Sequence, residues 1–165
     1  MKKQIAVFPG SFDPFHIGHL DILLKANDVF DEVIVAVGIN PQKEKKINRV
    51  ETIRKQIPGF RVEEFEGFIT NYIHELEEGS DDVITIVRGL RNGNDLAYEM
   101  NYLQVLKDLK PDTRMVFLPC DVRLGHVSSS MVRDMERIQK GSGSEYLAKA
   151  PMIEKLGPGV SSKEL

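Results

Sequence analysis

The sequence predicts an α/β protein built on a doubly wound parallel sheet, and three observations carry that expectation. Short apolar runs rich in β-branched residues alternate with stretches of helical periodicity along nearly the whole chain. Strands that alternate with helices pair in parallel through right-handed crossovers, because a twisted strand feeding a helix packs back onto its sheet only in that hand. The residues best suited to hold ligands cluster where strands give way to helices, and such sheets bind ligands beyond the carboxyl ends of their strands. At 165 residues the chain has the length of one domain and can bury a full core.

In order, Gln4 to Phe8 (QIAVF) suits a buried strand, and from Leu20 the residues Ile22, Leu23, Leu24, Ala26 and Phe30 suit a helix. Glu32 to Gly38 (EVIVAVG) reads as a second buried strand. Ile39 to Lys46 (INPQKEKK) is a polar loop with a lysine cluster, and Val50 to Ile57 is a short, weak helix ended by Pro58 and Gly59. A third strand is expected over Phe60 to Phe65, then a helix from Ile69 to Glu78 with Ile69, Tyr72, Ile73 and Leu76 on one side, closed by Gly79. Val83 to Val87 (VITIV) is the fourth strand and runs into Arg88-Gly89-Leu90-Arg91. Asp95 to Leu109 carries Leu96, Tyr98, Met100, Leu103, Leu106 and Leu109 as a helix that Pro111 stops. Met115 to Leu118 is the fifth strand, Ser128 caps a helix reaching Gln139, and Glu145 to Leu156 is expected as a last helix. The domain then spans residues 1–157, and residues 158–165 read as a disordered tail.

Composition excludes several classes of function. An apolar fraction of 41%, a charged fraction of 28% and a net charge of −3 are those of a soluble globular protein and argue against a nucleic-acid surface. Cys120 is the only cysteine, so no intrachain disulfide can form and a reducing compartment fits. No apolar run approaches a membrane span, and Met1-Lys2-Lys3 leads directly into a strand. The expected location is the cytoplasm, and the terminal SKEL is not an address signal.

The turn from Val7 to Leu20, VFPGSFDPFHIGHL, joins the first strand to the first helix. Pro9 and Gly10 break the strand, and Asp13 with Pro14 delays the helix. His16 and His19 arrive three apart where the helix begins, on one face. A helix N-terminus with free N–H groups and a positive dipole end is a natural phosphate seat, and imidazole adds a donor. As a metal site the pair lacks a third ligand at zinc spacing. The stretch Gly10 to His19 resembles the nucleotidyltransferase signature G-[ST]-F-D-x-x-H-x-G-H at every specified position.

Three further constellations follow. Val87 to Tyr102 (VRGLRNGNDLAYEMNY) places two arginines around a glycine at a strand end, able to direct planar donors at anions from a rigid base. Its R-G-[LI]-R followed by D-x-x-Y-E is similar to the phosphopantetheine adenylyltransferase family within that superfamily. Val127 to Arg133 (VSSSMVR) can hold a triphosphate tail on its hydroxyls and N–H groups, and resembles the family's I-S-S-[ST]-x-[VI]-[RK] element. Lys43 stands where the family carries a lysine two residues after a proline. Together these elements cover roughly residues 4–140 in the right order. Departures are His16, where the family more often has another residue, Arg49 to Arg54, which matches the T-x-E-E-R-like stretch poorly, and the chain from Gly141 onward.

The resemblance implies a single Rossmann-like domain with strand order 3-2-1-4-5, so that strands one and four flank the switch point. It implies transfer of the adenylyl group of ATP to 4'-phosphopantetheine, with Mg2+ accompanying ATP. By the same resemblance His19, Lys43 and Arg91 are catalytic. Ser11, Phe12, His19, Gly89, Leu90, Arg91 and Glu99, with Leu124, Gly125, His126, Val127, Ser128, Ser129 and Ser130, contact ATP, while Ser11, Lys43, Ile69 and Arg88 seat the acceptor. A homo-oligomer, with a hexamer as one form, follows from the family as well. His16 keeps open adenylyl or cytidylyl transfer to another phosphate acceptor, such as nicotinate mononucleotide or glycerol 3-phosphate. A non-catalytic sensor of ATP or coenzyme A is the alternative of another class.

Overall fold

Continuous apolar runs such as IAVF, VIVAV and ITIV leave no polar face, so their strands must be covered on both sides. The computed structural model, which describes residues 1–42 and 48–154, places these runs at the centre of one sheet. The strands are β1 (Gln4–Gly10), β2 (Glu32–Ile39), β3 (Arg61–Glu66), β4 (Val83–Leu90) and β5 (Met115–Pro119), all parallel in the order β3-β2-β1-β4-β5. The helices are α1 (Ile17–Asn27), α2 (Arg49–Gln56), α3 (Ile69–Glu77), α4 (Gly93–Leu109), α5 (Ser129–Ile138) and α6 (Ala150–Glu154). Lys43, with Lys45 and Lys46, and the tail 158–165 lie outside the described residues.

Alternation along the strands divides the core. Ala6, Phe8, Val33, Val35, Val37 and Val87 pack with Leu20, Leu23 and Leu24 of α1 and Ile53 of α2. Ile5, Val7, Ile34, Ala36, Ile84 and Ile86 face the other way and pack with Ile69, Tyr72 and Ile73 of α3 and Leu106 of α4. Successive side chains of a strand point to opposite faces, so the same short runs feed both layers.

Five features depart from the expectations. β4 does not end at Val87; Arg88, Gly89 and Leu90 are its last residues and pair with Phe117, Leu118 and Pro119 of β5. β1 also runs on through Pro9 and Gly10, which pair with Ala36 and Val37 of β2 and so do not break the strand. α1 starts at Ile17, three residues before Leu20, because His16 caps it. α4 buries only Glu99 and Leu106, and Leu96, Tyr98, Met100 and Leu109 are exposed although the pattern placed them on a packed helix. The single helix expected over Glu145 to Leu156 is instead a 3-10 turn (Ser144–Tyr146), an extended stretch and α6. Pro151 has no N–H to donate and fits only the first turn of a helix. The extended stretch is spent on the signature turn, where Leu147 bridges His16 and the Ala148 N–H donates to the Phe15 carbonyl. Among the described residues no helix is long and apolar enough to cross a membrane.

Candidate active site

Strands β1 and β4 are neighbours, while the chain leaves them towards opposite halves of the sheet; the turns that follow them therefore flank one crevice. An open cleft of about 340 Å³ occupies that position. It is lined by Phe8 to Phe12, His16, Gly18, His19 and Ile22 from the first segment, and by Arg88, Gly89, Arg91, Asp95 and Glu99 from the second. Cys120, Val127, Ser128 and Ser129 complete it.

The signature turn is irregular backbone, so its carbonyls need donors from elsewhere. Distant side chains supply them. Arg88 Nη1 donates to the Pro9 carbonyl at 3.1 Å and Arg49 Nη1 to that of Ser11 at 2.8 Å. Arg133 donates to the Asp13 carbonyl, Ser129 Oγ to that of Pro14 at 2.9 Å, and Gln56 Nε2 to that of Phe15 at 3.1 Å. Five consecutive or near-consecutive carbonyls are thus held from β4, α2 and α5. Within the turn Phe12 adopts φ +48°, a conformation that costs a non-glycine residue about 1–3 kcal/mol. Burial of its ring against Phe8 and Phe15 offsets that cost. The result is a rigid loop ahead of a helix N-terminus.

His16 and His19 close that N-terminus together. His16 Nδ1 accepts from the N–H groups of Gly18 (3.1 Å) and His19 (3.3 Å), while the His16 N–H donates to His19 Nδ1 at 3.2 Å. Burial, aided by the nearby Arg91 charge, pushes the His16 pKa down to about 4. Burial likewise holds His19 well below its ordinary value, with His16, Arg88 and Arg91 adding to the effect. Both rings are therefore neutral at physiological pH, each with its backbone-facing nitrogen acting as acceptor.

This has a measurable consequence. In the unfolded chain the two histidines titrate near pH 6.5, so between about pH 6.5 and 4 the unfolded chain binds more protons than the fold. Stability is then full above about pH 6.5 and falls as the pH drops towards 4, on the order of 3 kcal/mol from His16 alone. Asp95 and Asp121, whose pKa values the fold lowers, lose their contributions only below about pH 4. Urea midpoints measured from pH 7 to pH 4.5 should show this slope, and His16→Asn should flatten it.

The second segment supplies the arginines, each gripped by a carboxylate. Arg88 Nε and Nη2 donate to Glu99 Oε2 and Oε1 at 2.8 and 2.7 Å, and its guanidinium lies 5.6 Å from the centre of the Tyr102 ring. Glu99 is only 6% exposed. Arg91 bonds Asp95 through Nε, Nη2 and its backbone N–H, which holds the Asp95 carboxyl below its usual range. Gly89 between them permits close packing: a Cβ there would lie 2.8 Å from Ile22 Cγ1 on α1. Gly89→Ala should cost about 1–3 kcal/mol by overpacking. A double-mutant cycle with Ile22→Ala, read by urea denaturation, should show the two changes to be less costly together than their sum. An unchanged midpoint for Gly89→Ala would mean that α1 can withdraw freely.

The third segment is the start of α5. Ser128 is its cap, accepting from the Met131 N–H at 3.1 Å, and its hydroxyl lies 3.2 Å from that of Ser130. Cys120 leaves β5 beside Arg91, and burial pushes its thiol pKa up, so it is not an activated nucleophile.

Of the residues singled out in the sequence, Ser11, Phe12, His19, Arg88, Gly89, Arg91, Glu99, Val127, Ser128 and Ser129 meet in this cleft. Leu90, His126 and Ser130 adjoin lining residues in the chain and the Leu124 carbonyl accepts from the Val127 N–H, but these four and Gly125 are outside the lining itself. His126 meets the edge of the Tyr146 ring. Ile69 is buried in the core under the sheet and does not line the cleft. Lys43 is outside the described residues. Sequence reasoning missed Asp95, Ile22 and Cys120 as lining residues, and also the clamps Arg49, Gln56 and Arg133. The i to i+4 spacing of Arg91 and Asp95 was the one local signal available.

Comparison with known proteins agrees with this geometry. Residues 7–135 match the family model described as Cytidylyltransferase-like. The phosphopantetheine adenylyltransferase of Rhodopirellula baltica is 35% identical over 155 residues, covering 90% of this chain and 83% of its own. That of Clostridium novyi is 35% identical over 138 residues, covering 80% and 83%. The Leptospira biflexa protein of the same name is 39% identical over 141 residues, covering 82% and 85%. With the signature turn, the RGLR strand end and the serine-capped helix converging on one switch-point cleft, the chain is a nucleotidyltransferase enzyme and belongs to the phosphopantetheine adenylyltransferase family.

Proposed function

We propose that the protein transfers the adenylyl group of ATP to 4'-phosphopantetheine, giving dephospho-coenzyme A and pyrophosphate. The observation that carries this reading is the convergence of His19, Arg88, Arg91 and Ser129 on one cleft, in a chain whose relatives bear the corresponding name. An oxygen of the acceptor phosphate attacks the α-phosphorus of ATP in line. A new P–O–P bond forms, the bond to the bridging oxygen of the β-phosphate breaks, and pyrophosphate leaves with the electron pair. The acceptor is already an anion, so no protein nucleophile is needed; positioning and charge neutralisation supply the catalysis.

In this reading the neutral His19 donates from Nε2 to the α-phosphate, its Nδ1 being occupied by the His16 N–H. Arg91, the start of α5 and Ser129 hold the ATP phosphates, and Gly89, Leu90 and residues 124–130 line the nucleotide. Ser11, Lys43 and Arg88 seat the acceptor phosphate. Glu99, assigned to the ATP site by the resemblance, also pairs with Arg88 and so orients the acceptor-side guanidinium. Both carboxylates of the cleft are engaged by arginines, and among the described residues no cluster of three or more potential ligands could hold a metal. In this reading Mg2+ travels with ATP, held by its phosphates and water as hard divalent ions often are.

A homo-oligomer in the cytoplasm is part of the proposal. Leu96 and Met100 on one side, and Tyr98, Val105 and Leu109 on the other, flank the buried line of α4 and are exposed, as is Val116 of β5.

The test is pyrophosphate release with ATP or CTP against a panel of acceptors. Turnover with ATP and 4'-phosphopantetheine, and little with nicotinate mononucleotide or glycerol 3-phosphate, is the expected result. Turnover with another acceptor alone, or none with any, would overturn the reading.

A further inference from the structure

An ordinary helix cap accepts one or two N–H groups through a short oxygen side chain, and a capping box adds a glutamate or glutamine three residues on. Here both places are taken by histidines, and the second is the proposed donor to the reacting phosphate. His16 sits at φ −118°, ψ 175°, extended backbone, with Nδ1 on the N–H groups of Gly18 and His19. In that conformation its own N–H reaches His19 Nδ1 at 3.2 Å. The two rings stack, their centroids 3.6 Å apart and their planes 19° apart. Phe12 and Phe15 hold the His19 ring from other sides, at 4.9 and 5.3 Å between centroids.

Gly18 is part of the same device. A Cβ at this position would lie 3.0 Å from Cε1 and 3.1 Å from Nδ1 of His16, so a side chain there presses on the capping ring. A neutral imidazole has one N–H and one acceptor nitrogen. Once His19 Nδ1 accepts, the ring proton must be on Nε2, and the ring can offer a donor to an anion. A stabilising capping box has the same returning bond, but here the bond falls on an imidazole, where it decides which nitrogen carries the proton.

We propose that His16 is a positioning residue for His19: by capping α1 through Nδ1 it fixes the backbone whose N–H bonds His19 Nδ1, and so holds His19 as the Nε2–H tautomer in the orientation that donates to the transferred phosphate. The proposal rests on the reading that His19 is that donor. His16 acts through His19 and touches no substrate in this role. The capping function requires an acceptor at the Nδ1 position, which an asparagine Oδ1 can supply and an alanine cannot.

Two readouts on the full chain test this. Ring-nitrogen NMR of the 15N-histidine protein without substrate should show His19 as a single tautomer, protonated at Nε2. His16→Ala should make it a mixture and lower kcat by roughly 10- to 100-fold with KM for ATP nearly unchanged, as when a supporting residue around a catalytic group is lost. Gly18→Ala should reproduce both effects, and His16→Asn should restore the tautomer and most of kcat. A dispersed amide spectrum establishes folding for each variant, and should His16→Ala not fold, Gly18→Ala and His16→Asn carry the test. A pure Nε2–H tautomer with wild-type kcat in His16→Ala or Gly18→Ala would overturn the proposal. So would a His16→Asn protein with the correct tautomer and the slow rate of the alanine variant, since the ring itself would then be acting. If the wild type releases pyrophosphate with no acceptor, the functional reading fails, while the tautomer measurement still decides the positioning role.

Discussion

Replacing His19 by alanine is expected to lower turnover by about 10²- to 10³-fold, the cost of deleting one preorganised donor to charge that develops in a transition state. The expectation follows from geometry. His19 lies at the first turn of α1, in the cleft shared with Arg88 and Arg91, and its Nδ1 is already bonded to the backbone. Only Nε2 is left for the substrate. Loss of the interaction should appear in kcat and kcat/KM together, with ATP binding altered much less, because the bond strengthens as the α-phosphate passes to its five-coordinate form. Pyrophosphate release under saturating ATP, with circular dichroism to establish the fold, is the measurement. Turnover within a few-fold of wild type would remove His19 from the chemistry and leave it as a capping residue.

Arg88→Ala is expected to act on stability as well as on substrate. Glu99 is buried at 6% exposure, and Arg88 meets both of its oxygens. Removing one member of a buried pair leaves an uncompensated charge, at a cost of about 3–5 kcal/mol. The same change frees the Pro9 carbonyl and so loosens the signature turn at its root. Phosphopantetheine affinity should fall, because a planar phosphate donor is lost, and ATP affinity should fall less. Replacing Glu99 by leucine in the same chain should recover much of the stability, since no buried charge is then stranded, without restoring acceptor binding. Urea denaturation and calorimetry with ATP and with phosphopantetheine, measured separately, check both parts. A midpoint close to wild type for Arg88→Ala would show that Glu99 finds another partner. Loss of ATP binding with phosphopantetheine binding retained would reverse the assignment of Arg88.

The architecture was legible because its determinants are local. Apolar runs such as VIVAV and VITIV state their burial on both faces by composition, and the stretch from Asp13 to His19 carries its own helix start. The all-parallel order β3-β2-β1-β4-β5, expected from family resemblance, follows in the structure and brings the histidine and RGLR segments together. Where the sequence misled, residues with no local partner in view were responsible. The apolar positions of α4 looked like a core face, yet only Glu99 and Leu106 of the helix are buried, with Tyr102 packed partly buried against the core. A periodic pattern records that residues are apolar, not which surface covers them. Similarly, the stretch after Gly143 has helical composition, but its extended part is drawn onto Phe15 and His16.

Charged residues show the same division. Arg88 and Arg91 could be read as anion donors from their place at a strand end, and the i to i+4 spacing ties Arg91 to Asp95. That Glu99 belongs to Arg88 depends on how α4 crosses β4, eleven residues on. Arg49, Gln56 and Arg133 give no sign in the sequence of reaching the carbonyls of Ser11, Phe15 and Asp13. Hydrogen bonds between a side chain and a backbone up to 120 residues away leave no periodicity and need no particular residue type. The sequence by itself therefore determined the order of the strands along the chain, the start of α1 and the charged and polar residues gathered at the strand ends. Only the tertiary structure decided which partners hold those residues still, because that depends on packing distance and not on spacing along the chain.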